Sequence, residues 1–247
     1  MRLHRFFIED HLRNKKEISL YDTDLIHQLK DVFRLNAGDR LILLDNSGFE
    51  YLSEIQVLAK SKAEIKILEA TAAENIPSKN VWLFAALIKK DNYEWILEKC
   101  TELGVSHFVP IISERVEKKD LNIERAEKII KEASEQSGRG TMPTLHGVQD
   151  LKDSLALIEE NKLKALAFHT AGETFDKESL SKQSKLEKSL NIPEEKISYA
   201  IFIGPEGGWT EKEVELFKSK NIPVYSLGKQ VLRAETAAIA VASLLLL

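Results

Sequence analysis

The amino-acid sequence predicts an α/β protein with a small β-rich N-terminal unit and a larger C-terminal α/β unit. From Leu3 to about Ala70, short apolar runs alternate with turn signals such as Gly38-Asp39 and Asn46-Ser47-Gly48, which is typical of strands. Beyond Pro77, apolar strands alternate with amphipathic helices. That alternation predicts a mainly parallel sheet with helices on both faces.

The elements of the C-terminal unit follow one another at short intervals. Its predicted strands are VWLFAALI, VSHFVPII, ALAFHT, YAIFIG and PVYSLG. Its predicted helices cover Asn92–Leu103, ended by Gly104, then Glu124 to about Gln136, Leu151–Glu160, and segments beginning at Thr210 and at about Ala234. The stretch Thr71–Lys79 is predicted as a linker, and the Ser/Lys-rich stretch Glu178–Leu190 as a surface insertion or a solvated helix.

Composition restricts the possible locations and partners of the protein. Cys100 is the only cysteine, which favours a reducing compartment, and we expect the cytoplasm. The first ten residues lack the apolar run of a signal peptide, and Leu244–Leu247 is too short to cross a membrane. The net charge of −4 gives no overall basic footprint for nucleic acid, so any RNA contact needs a local patch. Basic residues near the N-terminus and between Lys118 and Arg139 are candidates, although solvated faces balanced by nearby acids are the favoured interpretation from sequence.

A first glycine-containing loop follows the strand YAIFIG. Gly204-Pro205-Glu206-Gly207-Gly208 lies between that strand and a helix whose Thr210 and Glu213 have the spacing of a capping box. Ligands bind beyond the carboxyl ends of parallel strands, and glycine allows a ligand to approach the backbone. The alternative is that these glycines only make a tight turn. The carboxylate of Glu206 and a second loop of the same kind favour a ligand site.

The second loop follows the strand PVYSLG, with Arg233, Glu235 and Thr236 at the entrance of an Ala-rich helix. Charges between an apolar strand and such a helix need partners. The alternative to a ligand is an ion pair of Arg233 with Glu235 or Glu206. Other chemistries lack support: the sequence has no GxxxxGK[ST] loop, GPEGGW does not fit the dinucleotide fingerprint, and dispersed histidines without paired cysteines predict no metal site.

The segments IGPEGGWTEKEVE and LGKQVLRAETAAIA together resemble the signature segments of the RsmE family, bacterial 16S rRNA uracil-N3 methyltransferases of the SPOUT superfamily. The segments MRLHRFF, VFRLNAGDRLILLD, KKDNYEWILEKCTELGVSHFVPIISER and EQSGRGTMP are also similar to family segments. The resemblance implies a PUA-like RNA-binding β-barrel domain in residues 1–72 and a SPOUT methyltransferase domain with a trefoil knot in residues 73–247. It also implies S-adenosylmethionine as cofactor, a homodimer, and a uridine in the decoding region of the small subunit as substrate.

The resemblance assigns roles to residues of both loops. Expected cofactor-binding residues are His169, Thr170, Ile203, Gly204, Pro205, Glu206, Gly207, Leu227, Gly228, Val231, Leu232, Ala234, Thr236 and Ala237. Expected RNA-binding residues are Arg2, His4, Arg5, Arg34 and Arg139. Phosphate contacts of this kind fix position without reading sequence.

Methylation of uracil N3 requires loss of its proton or stabilisation of the resulting anion. Arg233 is the candidate for stabilising the uracil oxygens, and Glu206 is the candidate for organising the loop or taking the proton. Two alternatives remain at this level: a non-catalytic RNA-binding assembly factor, and a SPOUT enzyme acting on tRNA or on a ribose hydroxyl.

Overall fold

The computed structural model describes residues 3–117, 119–175 and 197–247. By the packing of its Cα atoms, the chain divides into two compact units: Met1–Ile76 with Ser134–Met142, and Pro77–Ala133 with Pro143–Leu247. The predicted surface insertion at Glu178–Leu190 lies outside the described residues, and so does Arg2.

The first unit contains a five-stranded sheet, which confirms the prediction of a β-rich unit. Its strands are β1 (Arg5–Phe7), β2 (Glu17–Leu20), β3 (Arg40–Leu44), β4 (Phe49–Leu58) and β5 (Ala63–Ala72), in the spatial order β1-β3-β4-β5-β2. The pair β1–β3 is parallel and the other pairs are antiparallel. Alternate residues of β4, including Tyr51 and Ile55, are buried, as expected for a sheet with one face on a core.

Two details of the first unit differ from the prediction. A short helix, α1 (Thr23–His27), is followed by a π-helical turn over Gln28–Val32, where only strands and turns were expected. The Asp22 carboxylate caps α1 by accepting from the backbone N–H of Asp24 at 2.9 Å. The linker prediction was wrong at its start, because β5 continues through Ala72.

The second unit is built on a seven-stranded sheet. Its strands are β6 (Asn80–Ala86), β7 (His107–Ile112), β8 (Thr144–Leu145), β9 (Gln149–Asp150), β10 (Lys164–Thr174), β11 (Ser198–Ile203) and β12 (Val224–Ser226). The spatial order is β12-β10-β11-β6-β7-β8, with β9 also paired to β7. Every recorded pairing is parallel, which confirms the predicted sheet type.

The five helices that follow Pro77 in the described residues lie within a few residues of their predicted positions. They are α2 (Lys90–Leu103), α3 (Ile123–Ser137), α4 (Leu151–Glu160), α5 (Glu211–Ser219) and α6 (Ala234–Leu246). Gly104 ends α2 in a left-handed conformation, with φ of 109°, and donates its N–H to the carbonyls of Cys100 and Thr101. The last residues of α3, from Ser134, pack with the first unit.

The core of the second unit lies along β6 and β11, the neighbouring central strands. Leu83, Phe84, Ile201 and Phe202 are fully buried, because a central parallel strand is covered on both faces. In the part of the chain that the structure describes, no helix has the length and apolar character needed to cross a membrane. The same residues contain no group of three or more His, Cys, Asp or Glu side chains placed to hold a metal ion.

Candidate active site

The loops that follow β11 and β12, together with the segment 168–170 of β10, surround one open cleft of about 480 Å³. These three strands are neighbours in the sheet, in the order β12-β10-β11, and all run parallel. Their carboxyl ends therefore meet at one edge, which is where ligands bind in open α/β sheets.

Most of the residues predicted for the site line this cleft. They are His169, Thr170, Ile203, Gly204, Pro205, Glu206, Gly207, Leu227, Val231, Leu232, Arg233, Ala234 and Ala237. Gly228 and Thr236 are not in the lining. Gly208 of the first loop also lines the cleft, as expected, and so do Arg115, Phe168, Ser226 and Gln230, which were not predicted as site residues. Phe168, Ser226 and Gln230 had a usable signal, since each is adjacent in sequence to a predicted site residue, and Arg115 is the last residue of the family-like segment KKDNYEWILEKCTELGVSHFVPIISER.

Close packing explains part of the glycine content of the first loop. A Cβ atom on Gly204 would lie 3.1 Å from the ring of Trp209, and one on Gly207 would lie 3.2 Å from Cδ of Arg115. Trp209 is buried and its Nε1–H donates to the carbonyl of Phe168 at 3.0 Å. The tight-turn interpretation is therefore correct in part, and it is compatible with a ligand on the open side of the loop.

The helix after the first loop begins with the predicted capping box. Thr210 Oγ1 accepts from the N–H of Glu213, and the Glu213 carboxylate accepts from the N–H of Thr210 at 2.8 Å. The other carboxylate oxygen of Glu213, which is buried, accepts from the N–H of Glu114 at 2.9 Å. Glu213 thus joins the loop after β7 to the loop after β11.

Glu206 lies close to the start of α2. Its Oε1 is 3.5 Å from the backbone nitrogen of Lys89, the N-cap residue of α2, which has no side-chain cap of its own. A helix N-terminus offers unpaired N–H groups and favours negative charge. This contact favours the role of loop organiser over that of proton acceptor for Glu206.

The second loop is held at its start by Ser226 and carries exposed side chains further along. Ser226 Oγ donates to the carbonyl of Gly228 at 3.0 Å. The φ angle of Gly228 is 114°, a backbone conformation in which a residue with a side chain is strained, so the position favours glycine. Val231 is 80% exposed. The side chain of Arg233 is also 81% exposed, and its Nη1 is 4.0 Å from Oε1 of Glu235. The ion pair considered as an alternative is thus long and solvent-exposed on one side, and such pairs contribute little.

Two polar groups near the second loop have defined environments. The side chain of Glu235 is only 5% exposed, and its Oε2 has no hydrogen-bond partner among the described residues. His169 Nδ1 accepts from the N–H of Ala171 at 3.0 Å. In its neutral form His169 therefore carries its proton on Nε2, which faces Gly208.

The structure separates the predicted RNA-binding residues by exposure. His4 and Arg34 are exposed, and the His4 ring lies 4.3 Å from the ring of Phe33. Arg5 is part-buried and bonded through Nε and Nη2 to the carboxylate of Glu50 at 3.3 and 3.2 Å. Arg139 is 3% exposed, its Nε donates to the carbonyl of Thr141, and burial lowers its pKa to about 10. This burial counts against a direct contact between Arg139 and an RNA phosphate.

A parallel sheet with two glycine-containing loops around one cleft at its carboxyl edge defines the second unit as an α/β ligand-binding domain of the enzyme type. A family model described as an RNA methyltransferase domain matches residues 74–246, and one described as an RNA methyltransferase PUA domain matches residues 20–68. Together with the relatives described next, these matches show that the chain belongs to the ribosomal RNA small subunit methyltransferase E family, as the signature segments indicated.

The relatives are similar over nearly their whole lengths. Ribosomal RNA small subunit methyltransferase E of Rickettsia conorii is 32% identical, with 97% of this chain and 93% of the relative covered. The Bacillus subtilis protein of the same name is 31% identical, with 95% and 93% covered. The Neisseria gonorrhoeae enzyme of that name, solved bound to S-adenosyl methionine, has a TM-score of 0.85 at 26% identity, with 98% of this chain and 96% of that chain covered. A methyltransferase from Legionella pneumophila, solved with the same cofactor, has a TM-score of 0.81 at 27% identity, with 99% and 97% covered.

Proposed function

We propose that the protein is an S-adenosylmethionine-dependent methyltransferase that modifies N3 of a uridine in the decoding region of 16S rRNA. The observation that supports this most is the single cleft lined by both glycine-containing loops, in a chain of this family. Relatives solved with S-adenosylmethionine support the choice of cofactor.

The cleft suits an adenosyl ligand. Its lining combines apolar side chains, such as Phe168, Ile203 and Leu232, with backbone groups of the two loops. Apolar walls with a few convergent polar groups are typical of cofactor sites. Backbone groups of Ile203, Gly204, Leu227 and Leu232 hold the adenine and ribose, and Gly228 shapes the turn between the last two. The bound cofactor supplies the electrophilic methyl group.

Side chains of the protein orient the uracil and stabilise the negative charge that develops on it. The side chain of Arg233 is 81% exposed at the cleft and its pair with Glu235 is long, at 4.0 Å, so its guanidinium is available to the uracil oxygens while the N3 proton passes to water. Glu206 keeps the first loop at the start of α2. Positioning of the two reactants provides most of the rate enhancement.

The first unit supplies RNA binding in this proposal. A PUA-type family model matches residues 20–68, and the exposed His4 and Arg34, with Arg2 and Arg5, hold phosphates. We also propose that residues 1–72 form a PUA-like barrel domain and that residues 73–247 form a domain with a trefoil knot. The protein is a homodimer located in the cytoplasm in this proposal. The family resemblance supports each of them.

The decisive experiment is methyl transfer from labelled S-adenosylmethionine to small subunits or free rRNA isolated from a strain that lacks this gene. Nucleoside analysis is expected to give 3-methyluridine at one position. A labelled ribose or labelled tRNA would point instead to the alternative SPOUT substrates. Absence of cofactor binding together with retained RNA binding would favour a non-catalytic assembly factor.

A further inference from the structure

Arg115, in the loop after β7, reaches the first glycine-containing loop 92 residues later in the chain. Its Nη1 donates to the carbonyl of Gly207 and lies 3.4 Å from the carbonyl of Trp209. Its aliphatic stem packs against Gly207, where a Cβ atom would be 3.2 Å from Cδ of Arg115. The side chain of Arg115 is therefore held against the loop at the mouth of the cleft.

The backbone that carries Arg115 is also fixed. The N–H of the preceding residue, Glu114, donates at 2.9 Å to the buried carboxylate of Glu213, which also closes the capping box of α5. A guanidinium placed by both its own hydrogen bonds and its backbone loses little further freedom on binding a ligand.

The charge of Arg115 is not neutralised. Within the described parts of the chain, no carboxylate lies within 4.0 Å of its guanidinium, and its Nε and Nη2 have no hydrogen-bond partner. Arg115 is exposed, and it lines the cleft together with Arg233. Arg115 has no carboxylate partner among the described residues and the pair of Arg233 with Glu235 is long, at 4.0 Å, so the two arginines of this cleft favour an anionic ligand across its mouth.

A second cleft, which shares Arg115 and His169 with the first, is also lined by the acidic residues Glu173, Glu211 and Glu215 and by one lysine, Lys218. The acids of this second cleft repel a phosphate backbone. An anionic strand therefore reaches Arg115 from the side of the cofactor cleft.

Resting on the function proposed above, we infer that Arg115 binds a phosphate of the substrate RNA next to the target nucleotide. Its Nη1 keeps hold of the glycine-containing loop while Nε and Nη2 bind the phosphate oxygens. The same side chain then fixes the distance between the RNA strand and the methyl-donor loop. Arginine suits this task because its planar donors can bond two groups in one geometry.

The test is RNA binding by the full-length protein over a series of KCl concentrations, with transcribed small-subunit rRNA as the probe and S-adenosylhomocysteine present. Each phosphate contact contributes about 0.7 to 0.9 to the slope of log affinity against log salt. We expect Arg115→Ala to reduce the slope by about this amount and to weaken binding about 10-fold at low salt. Arg115→Lys keeps the charge and is expected to restore the slope.

A matched control is Arg125→Ala, because Arg125 is an exposed arginine of the same unit that is already paired with Glu94 at 3.1 Å. Its slope is expected to equal that of the wild type. An unchanged slope for Arg115→Ala would overturn the inference.

The carboxylate of S-adenosylmethionine is a rival anion for Arg115. Calorimetry with this cofactor and with 5′-methylthioadenosine, which lacks the amino-acid group, separates the two. If Arg115→Ala weakens only the first ligand, Arg115 binds the cofactor and the inference is wrong. If the rRNA is not methylated but the salt slope still depends on Arg115, the proposed methyl transfer is rejected and the phosphate contact is retained.

Discussion

The two edges of the seven-stranded sheet differ in how their side chains are used. At the carboxyl edge, two loops enclose an open cleft, with exposed charged groups such as Arg115 and Arg233. Toward the amino edge, Trp82 stacks on His107 with ring centroids 3.8 Å apart, and His107 Nδ1 lies 3.2 Å from Nε2 of His146. The cleft and the buried aromatic cluster thus lie toward opposite edges of one sheet, so we expect changes at one edge to leave the property of the other intact.

The largest effect on stability is expected from Trp82→Ala at the amino edge. Trp82 is buried, and its removal leaves a cavity beside His107 and Phe84. We expect the free energy of unfolding to fall by about 3–5 kcal/mol, as measured by urea denaturation. Cofactor affinity at a temperature where the variant is folded should match the wild type. A parallel loss of affinity would show that the two edges are not independent.

Arg233→Ala at the carboxyl edge is expected to change the methylation rate and to leave the free energy of unfolding nearly unchanged. Its exposed side chain makes no cap hydrogen bond, so the unfolding free energy should change by less than about 0.5 kcal/mol. The single-turnover methylation rate should fall about 100- to 1,000-fold, which is typical for loss of one group that stabilises a developing anion. Cofactor affinity should stay close to that of the wild type. A near-normal rate would remove Arg233 from the chemistry.

Gly207→Val tests the first loop itself. The new side chain would press on Cδ of Arg115 and occupy part of the cleft, so we expect cofactor affinity measured by calorimetry to fall by at least about 10-fold. Gly147→Ala is the control, because a Cβ atom on Gly147 meets nothing within 4 Å. Unchanged affinity in Gly207→Val would exclude this loop from cofactor binding.

The smallest effect is a pH dependence from the amino edge. Burial, and secondarily the neighbouring His146, lowers the pKa of His107 from 6.5 to about 4, and burial also lowers the pKa of His146. Between pH 4 and pH 6.5, His107 binds a proton in the unfolded chain but not in the native chain. The free energy of unfolding therefore decreases as the pH drops from 6.5 toward 4. Allowing for the partial solvent exposure of the rings, the loss should be roughly 1–2 kcal/mol.

Thermal unfolding at pH 7 and pH 5 measures this loss, and His107→Gln is the informative variant. With one of the two titrating rings removed, the decrease in melting temperature between these pH values should be smaller than in the wild type. An equal decrease would assign the acid sensitivity to other groups.

The features predicted correctly from sequence depend on residues that are close together in the chain. The capping box needs only Thr210 and Glu213, and the end of α2 needs only Gly104 and the last helical turn. The parallel sheet follows from the alternation of strands and helices, and the two glycine-containing loops follow from strand ends read directly from the chain. The short helix after Asp22 was missed because its cap stands in a segment dominated by strand and turn signals.

Other features depend on residues far apart in sequence, and only the tertiary structure decided them. Arg115 belongs to the cleft because the loop after β7 folds against the loop after β11, and no local pattern encodes that contact. Arg139 has the composition of a phosphate-binding residue but is buried, and Glu206 lies at the start of α2 because β6 and β11 are neighbours in the sheet. Sequence spacing determines hydrogen bonds within a helical turn or a loop, whereas strand order determines which distant side chains share an edge of the sheet.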